Sequence, residues 1–181
     1  MSQLKEIYKK EIAPALREKF GYRNVNEAPQ LRKVVINIGI NSQNKDAKVT
    51  ETVIDTVRRI TGQLPVKTLA KKSIAGFKVR QGMVVGVKAT LRGERMYAFV
   101  ERLVRVTLPR IRDFRGISPT LMDKQGNMSI GFRDVVAFPE VQTDAMERGH
   151  GLEIIIDTSA KTREEGLELL KRLGFPFREK K

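Results

Sequence analysis

Apolar residues recur at three- and four-residue spacing from the start of the chain. Leu4, Ile7, Tyr8, Ile12, Leu16 and Phe20 share one face, which predicts an amphipathic helix over 3–20 that stops at Gly21. Pro14 has no N–H and its ring crowds the preceding turn, so a kink or break is expected there. The period then changes to two. Val34, Ile36, Ile38 and Ile40 alternate with Val35, Asn37 and Gly39, which predicts a strand over 31–40 with one core face and one polar face. A polar stretch, Asn41 to Asp46, leads into a helix over about 47–61 that turns Val49, Val53, Ile54, Val57 and Ile60 inward and ends before Gly62.

Residues 64–70 and 82–92 read as two strands flanking a connection. In the second, Val85, Val87, Ala89 and Leu91 alternate with Val84, Gly86, Lys88, Thr90 and Arg92, so an apolar face opposes a polar, cationic one. A helix over about 93–112 follows, carrying Phe99, Val100, Leu103, Val104, Val106 and Leu108, with Pro109 near its end. Turn dipeptides dominate 113–151, broken by a short strand at 127–132. Leu152 to Asp157 is a further strand. The last helix, about 163–173, begins with the capping-box spacing Thr162-x-x-Glu165 and stops at Gly174. The order α, β, α, β, β, α, β, β, α predicts a single-domain α+β sandwich over residues 1–181, with helices on one sheet face and the other left open for a ligand.

Charge changes the picture most. The chain has 181 residues, 35 Lys plus Arg against 21 Asp plus Glu, and a formal charge of +14. Residues 58–115 hold 15 basic and 3 acidic side chains, whereas residues 116–170 hold 5 and 10. Between residues 64 and 92 stand Lys67, Lys71, Lys72, Lys78, Arg80, Lys88 and Arg92 with no acid at all, as expected of a surface that meets phosphates. A sequence pI near 10.2 favours a polyanionic partner. No apolar run reaches the length of a membrane helix, and Lys5, Glu6, Lys9, Lys10 and Glu11 interrupt any signal-peptide core. A soluble cytoplasmic protein with no membrane partner is therefore expected.

Residue types remove most catalytic chemistry. With no Cys and a single His, thiolate metal sites, disulfides and Cys nucleophiles are excluded and histidine-based metal sites have little to work with. Nucleophile-elbow, phosphate-loop, dinucleotide and zinc-protease motifs are absent. Asp144, Glu147, His150 and Glu153 gather around the one His, but that Gly-flanked stretch reads as solvated loop rather than a metal site. The expectation is a protein with no cofactor, no metal, no small-molecule substrate and no catalytic residue.

Several features agree on nucleic acid instead. Lys71, Lys72, Lys78 and Arg80 supply charge, Phe77 offers a stacking surface, and Gly76 and Gly82 allow close backbone approach. On the polar sheet face, Asn37, Lys88, Thr90 and Arg92 present groups suited to ribose hydroxyls, phosphates and base edges of structured RNA. Each feature has a plainer reading: Phe77 as core, the glycines as a simple turn. A general RNA chaperone, an enzyme acting on a phosphorylated substrate and a DNA-architectural protein are the alternatives at this level.

The same stretches carry a family resemblance. LRKVVINIGI (31–40), the KKSIAGFKVRQG core within Gln63 to Arg92, LPRIRDFRGIS (108–118), GNMSIGFRDVVAF (126–138) and the closing LEIIIDTSAKTREEGLELLKRLGFPF resemble, in order and over nearly the whole chain, bacterial-type ribosomal protein five of the large subunit, the family that binds 5S rRNA. The resemblance implies an RNA-recognition-like (ferredoxin-like) α+β fold with a mostly antiparallel sheet. It also implies residence in the central protuberance, contact with 5S rRNA and large-subunit rRNA, and no catalysis. It assigns rRNA binding to Asn37, Gln63, Phe77, Thr90, Arg92 and Ser129, to which the polar-face reading adds Lys88. Contact with the elbow of P-site tRNA falls to the loop Lys71-Lys72-Ser73-Ile74-Ala75-Gly76-Phe77-Lys78-Val79-Arg80-Gln81-Gly82. A bridge to ribosomal protein thirteen of the small subunit is implied from the loop-rich region 113–150.

Overall fold

A computed structural model describes residues 2–40, 47–133, 135–141 and 150–178. The Asn41 to Asp46 stretch, and Asp144 and Glu147 of the acidic group, lie outside the described residues. The elements run α1 (Gln3–Ile7), α2 (Ala13–Phe20), β1 (Leu31–Gly39), α3 (Ala47–Thr61), β2 (Val66–Leu69), β3 (Val84–Leu91), α4 (Gly93–Arg102), β4 (Met128–Phe132), β5 (Leu152–Thr158) and α5 (Arg163–Arg172). This is the predicted order. The strands form one five-stranded antiparallel sheet in the order β2-β3-β1-β5-β4, an α+β fold of the ferredoxin-like kind.

The chain divides into two compact units. The first comprises 1–34, 91–130 and 155–181, and the second 35–90 and 131–154. Every boundary between them falls inside a strand: within β1 after Val34, β3 after Thr90, β4 after Ile130 and β5 after Ile154. In the first unit Leu16, Val34, Leu91, Phe99, Val100, Met128, Ile156 and Leu169 are buried. In the second, Ile36, Ile38, Val53, Val57, Val87, Leu152 and Ile154 are. Each such side chain contributes about 1.5–3 kcal/mol when fully covered. The predicted alternation holds along β1 from Val34 to Ile38 and along β3 from Val87 to Leu91, where Asn37, Lys88 and Thr90 are half-buried or exposed. It does not hold at Gly86, expected on the polar face and buried between strands, nor at Val85, which is only half-buried.

Both prolines within helices are accommodated in one way. A wide turn over Tyr8–Ile12 precedes Pro14, and another over Leu103–Thr107 precedes Pro109. In these turns Ala13 N–H donates to the Tyr8 carbonyl and Leu108 N–H to that of Leu103, five residues back. The wider turn gives the proline ring room beside the carbonyl four residues before it. It also shifts the helical phase, so Val106, expected to face inward, is exposed, and the segment ends in a tight turn over Leu108–Arg110. At α5 the predicted cap forms: Thr162 Oγ1 accepts from Glu165 N–H at 3.3 Å, while Glu165 Oε2 accepts from Lys161 N–H at 2.7 Å.

Candidate nucleic-acid interface

β2 and β3 pair antiparallel, with Val66 opposite Lys88, Lys67 opposite Val87 and Thr68 opposite Gly86, and the register slips between Thr68 and Leu69. Gly86 is required there. A Cβ on it would lie 2.8 Å from the Ile38 carbonyl oxygen and 3.0 Å from Thr68 Oγ1, so no side chain fits between the neighbouring strands. Beyond β2 the connection is built rather than open. Ala70 N–H donates to the Met83 carbonyl at 2.8 Å, and Gly82, at φ 82°, donates back to the Ala70 carbonyl at 3.0 Å. Further out Ile74 and Val79 exchange both backbone bonds, at 2.9 and 3.2 Å, around a tight turn over Ala75–Phe77. Ser73 Oγ ties the two arms by accepting from Gln81 N–H at 2.9 Å. The predicted loop is thus a small secondary hairpin with Phe77 at its tip.

Phe77 is 68% exposed, so the plainer reading of it as core is ruled out. Lys71, Lys72, Lys78 and Arg80 are exposed or half-exposed beside it. Gly82 makes a turn, whereas Gly76 has ordinary backbone angles and is bounded by open space. A second group lies at the inner end of β3. The last turn of α3 and the left-handed Gly62 return the chain so that Gln63 Nε2 donates to the Thr90 carbonyl oxygen at 3.2 Å. Thr61 Oγ1 steadies this return by accepting from Gln63 N–H at 3.2 Å. The bond from Ile40 N–H to the Val85 carbonyl, 2.9 Å, continued along an antiparallel ladder, sets Asn37 across from Lys88. Asn37, Gln63, Lys88 and Thr90 therefore belong together in the second unit, with Phe77 further out on the hairpin. Arg92 and Ser129 belong to the first unit. Arg92 is exposed just before α4, and Ser129 is exposed between buried Met128 and Ile130 on β4.

The segment 64–92 holds seven cations and no acidic side chain, and elsewhere only some of the cations are paired within the chain. Lys5, Lys10, Lys19, Lys33, Arg59, Arg105 and Arg172 each sit within 4 Å of a carboxylate. Lys67, Lys71, Lys72, Arg80, Lys88 and Arg92 have no ion-pair partner among the described residues, and none is buried. Their charge is left for an external partner. One feature of this surface has no signal in the residue pattern: Leu64, Val66 and Leu69 are 69%, 63% and 56% exposed on and before β2, at the sheet edge. Apolar residues in a strand look like core until the strand's place in the sheet is known. Around His150, Glu153 is exposed, and the described residues contain no cluster of three metal-ligating side chains.

Comparison with known proteins places the chain in a family. The family model described as "Ribosomal protein L5" matches residues 24–80, and the model for the C-terminal part of that ribosomal family matches residues 84–177. The chain belongs to the ribosomal protein L5 family. Among curated members, the large ribosomal subunit protein uL5 of Halothermothrix orenii is 52% identical over 177 residues, covering 98% of this chain and 99% of its own. That of Alkaliphilus oremlandii is 50% identical over 177 residues with the same coverage. The uL5 of Synechocystis is 51% identical over 176 residues, covering 97% of this chain and 98% of its own. Membership of the L5 family makes the chain a structural, non-catalytic constituent of the large ribosomal subunit, bound to the ribosome in the cytoplasm and associated with ribosomal RNA. The two family models meet at residues 81–83, where the hairpin returns into β3.

Proposed function

We propose that this L5-family chain binds 5S rRNA in the central protuberance and touches P-site tRNA through the hairpin spanning Lys71 to Gly82. Asn37, Gln63, Phe77, Lys88 and Thr90 in the second unit, and Arg92 and Ser129 in the first, form the rRNA contacts. The observation that carries this reading is the acid-free run of exposed cations, of which Lys67, Lys71, Lys72, Arg80, Lys88 and Arg92 have no ion-pair partner among the described residues, set beside the exposed ring of Phe77. Lys and Arg fix orientation through phosphates, while Asn37, Thr90 and Phe77 discriminate RNA shape and exposed bases. Because Gln63 holds the main chain of Thr90, the Thr90 hydroxyl is presented from a fixed backbone.

The test compares 5S rRNA with a random duplex. Asn37→Ala and Thr90→Ala should weaken binding to 5S rRNA more than binding to the duplex; equal losses on both would remove their role in specificity. A bridge to ribosomal protein thirteen of the small subunit, from region 113–150, belongs to the same function; residues 134 and 142–149 of that region are outside those described. The chain acts as one domain, since each unit boundary lies within a continuous strand. One cooperative unfolding transition is expected, and two separable transitions would contradict it.

A further inference from the structure

The first unit contains a groove of about 670 Å³ lined by none of the residues proposed above to bind RNA. One wall is a ridge of α5, where Arg163, Leu167 and Lys171 recur at four-residue spacing. Pro119 and the C-terminal arm with Phe177 and Arg178 complete it. The arm is fixed to the preceding loop: Ile117 N–H donates to the Pro176 carbonyl at 2.7 Å and Arg178 N–H to the Ile117 carbonyl at 2.9 Å. Gly116, at φ 88°, permits that approach, because a Cβ there would come within 3.1 Å of Arg178 N.

Two of the cations on this rim, Arg163 and Arg178, are held by main chain and have no carboxylate partner among the described residues. Arg163 Nη2 donates to the Pro119 carbonyl at 2.6 Å, and Arg178 Nε donates to the carbonyls of Arg115 and Gly116, both at 3.1 Å. Main chain therefore holds each guanidinium in place and leaves its other N–H groups available for a carboxylate. Lys171 makes no ion pair among the described residues. Two fixed guanidiniums and the exposed Lys171 around Leu167, Pro119 and Phe177 match a ligand that is both anionic and apolar.

We propose that this groove docks an acidic amphipathic segment of a partner protein, with carboxylates on Arg163, Lys171 and Arg178 and apolar side chains on Leu167 and Phe177. Nucleic acid fits less well. Phe177 is half-covered and offers no open face for a base to stack on, unlike the ring of Phe77 at the hairpin tip, and the apolar Leu167 and Pro119 beside it suit side chains rather than a sugar–phosphate backbone. The proposal stands independently of 5S rRNA binding.

The experiment uses the full chain and a fluorescein-labelled peptide of paired glutamates and leucines, read by anisotropy. Controls are the same peptide with lysine for glutamate, and poly(U) RNA. Arg163→Glu/Lys171→Glu should weaken the acidic peptide about tenfold. The charge-matched Lys9→Glu/Lys124→Glu should change it much less, and Leu167→Ser should weaken it with charge unchanged. If circular dichroism shows that the double variant is misfolded, Lys171→Glu alone carries the comparison. Equal losses for groove and control variants, or no loss for either, would overturn the proposal. A groove variant that loses poly(U) but keeps the peptide would overturn it in favour of an RNA surface.

Discussion

Replacing Phe77 by alanine separates a structural from a recognition role for the hairpin. Truncating a fully buried phenylalanine costs about 3–5 kcal/mol through lost transfer energy and the cavity left behind. Phe77 is 68% exposed, so about a third of that cost applies and stability should fall by only about 1 kcal/mol. The backbone pairing of Ile74 with Val79 and the Ser73 to Gln81 bond do not involve the ring, so the hairpin itself should persist. Stacking of one base on an aromatic side chain is worth about 1–3 kcal/mol, which corresponds to roughly a five- to 150-fold loss of RNA affinity. The chain has no Trp, so unfolding in urea is best followed by circular dichroism, and tRNA binding by anisotropy of labelled tRNA. A large binding defect with a small stability defect is expected. A stability loss of about 3 kcal/mol or more would return Phe77 to the core. Unchanged tRNA affinity in a folded variant would remove it from recognition.

Three further outcomes follow from the geometry. Lys71→Ala/Lys72→Ala/Arg80→Ala should lower the slope of log affinity against log salt by about 2–3, at roughly 0.7–0.9 for each phosphate no longer neutralised, and an unchanged slope would mean that these cations meet no phosphates. Gly86→Ala should destabilise the fold by about 1–3 kcal/mol, because the new methyl meets the Ile38 carbonyl and Thr68 Oγ1, and a neutral substitution in a urea melt would show that the strands can part. Hydrogen bonding to Lys19 Nζ at 2.7 Å, and to Arg172 Nε at 2.9 Å, holds the Glu168 carboxyl below the usual carboxylate range. Its stabilisation is therefore present above the unfolded carboxylate pKa of about 4.3 and lost as pH falls through the lower folded value. Stability measured against pH should fall less steeply in acid for Glu168→Gln, and superimposable slopes would contradict the sign.

What could be read from the residues alone followed from period and charge. Ile36 and Ile38 against Asn37, and Val87 and Ala89 against Lys88, announced two half-buried strands and the face of each that stays out of the core. Pro14 announced a disturbed helix and Pro109 only the approach of a helix end, and the wide turns that precede both depend on which carbonyl the next N–H can reach. The hairpin between Ile74 and Val79 left no apolar signature because backbone groups and the Ser73 hydroxyl hold it. Leu64, Val66 and Leu69 were illegible for a different reason: their exposure depends on β2 standing at the sheet edge, which is a property of strand order. The candidate site was legible in its charges and in Phe77, whereas the Gln63 to Thr90 bond needed the return of the chain at Gly62.

The most direct test of the central claim is a salt titration of the full chain binding 5S rRNA against a length-matched control RNA. Both affinities should fall with salt as counterions are released from the phosphates. A preference for 5S rRNA is predicted to survive at physiological ionic strength, because contacts from Asn37, Gln63 and Thr90 persist after phosphate attraction is screened. Coincident curves for the two RNAs would contradict it, leaving a basic surface that holds RNA without recognising it.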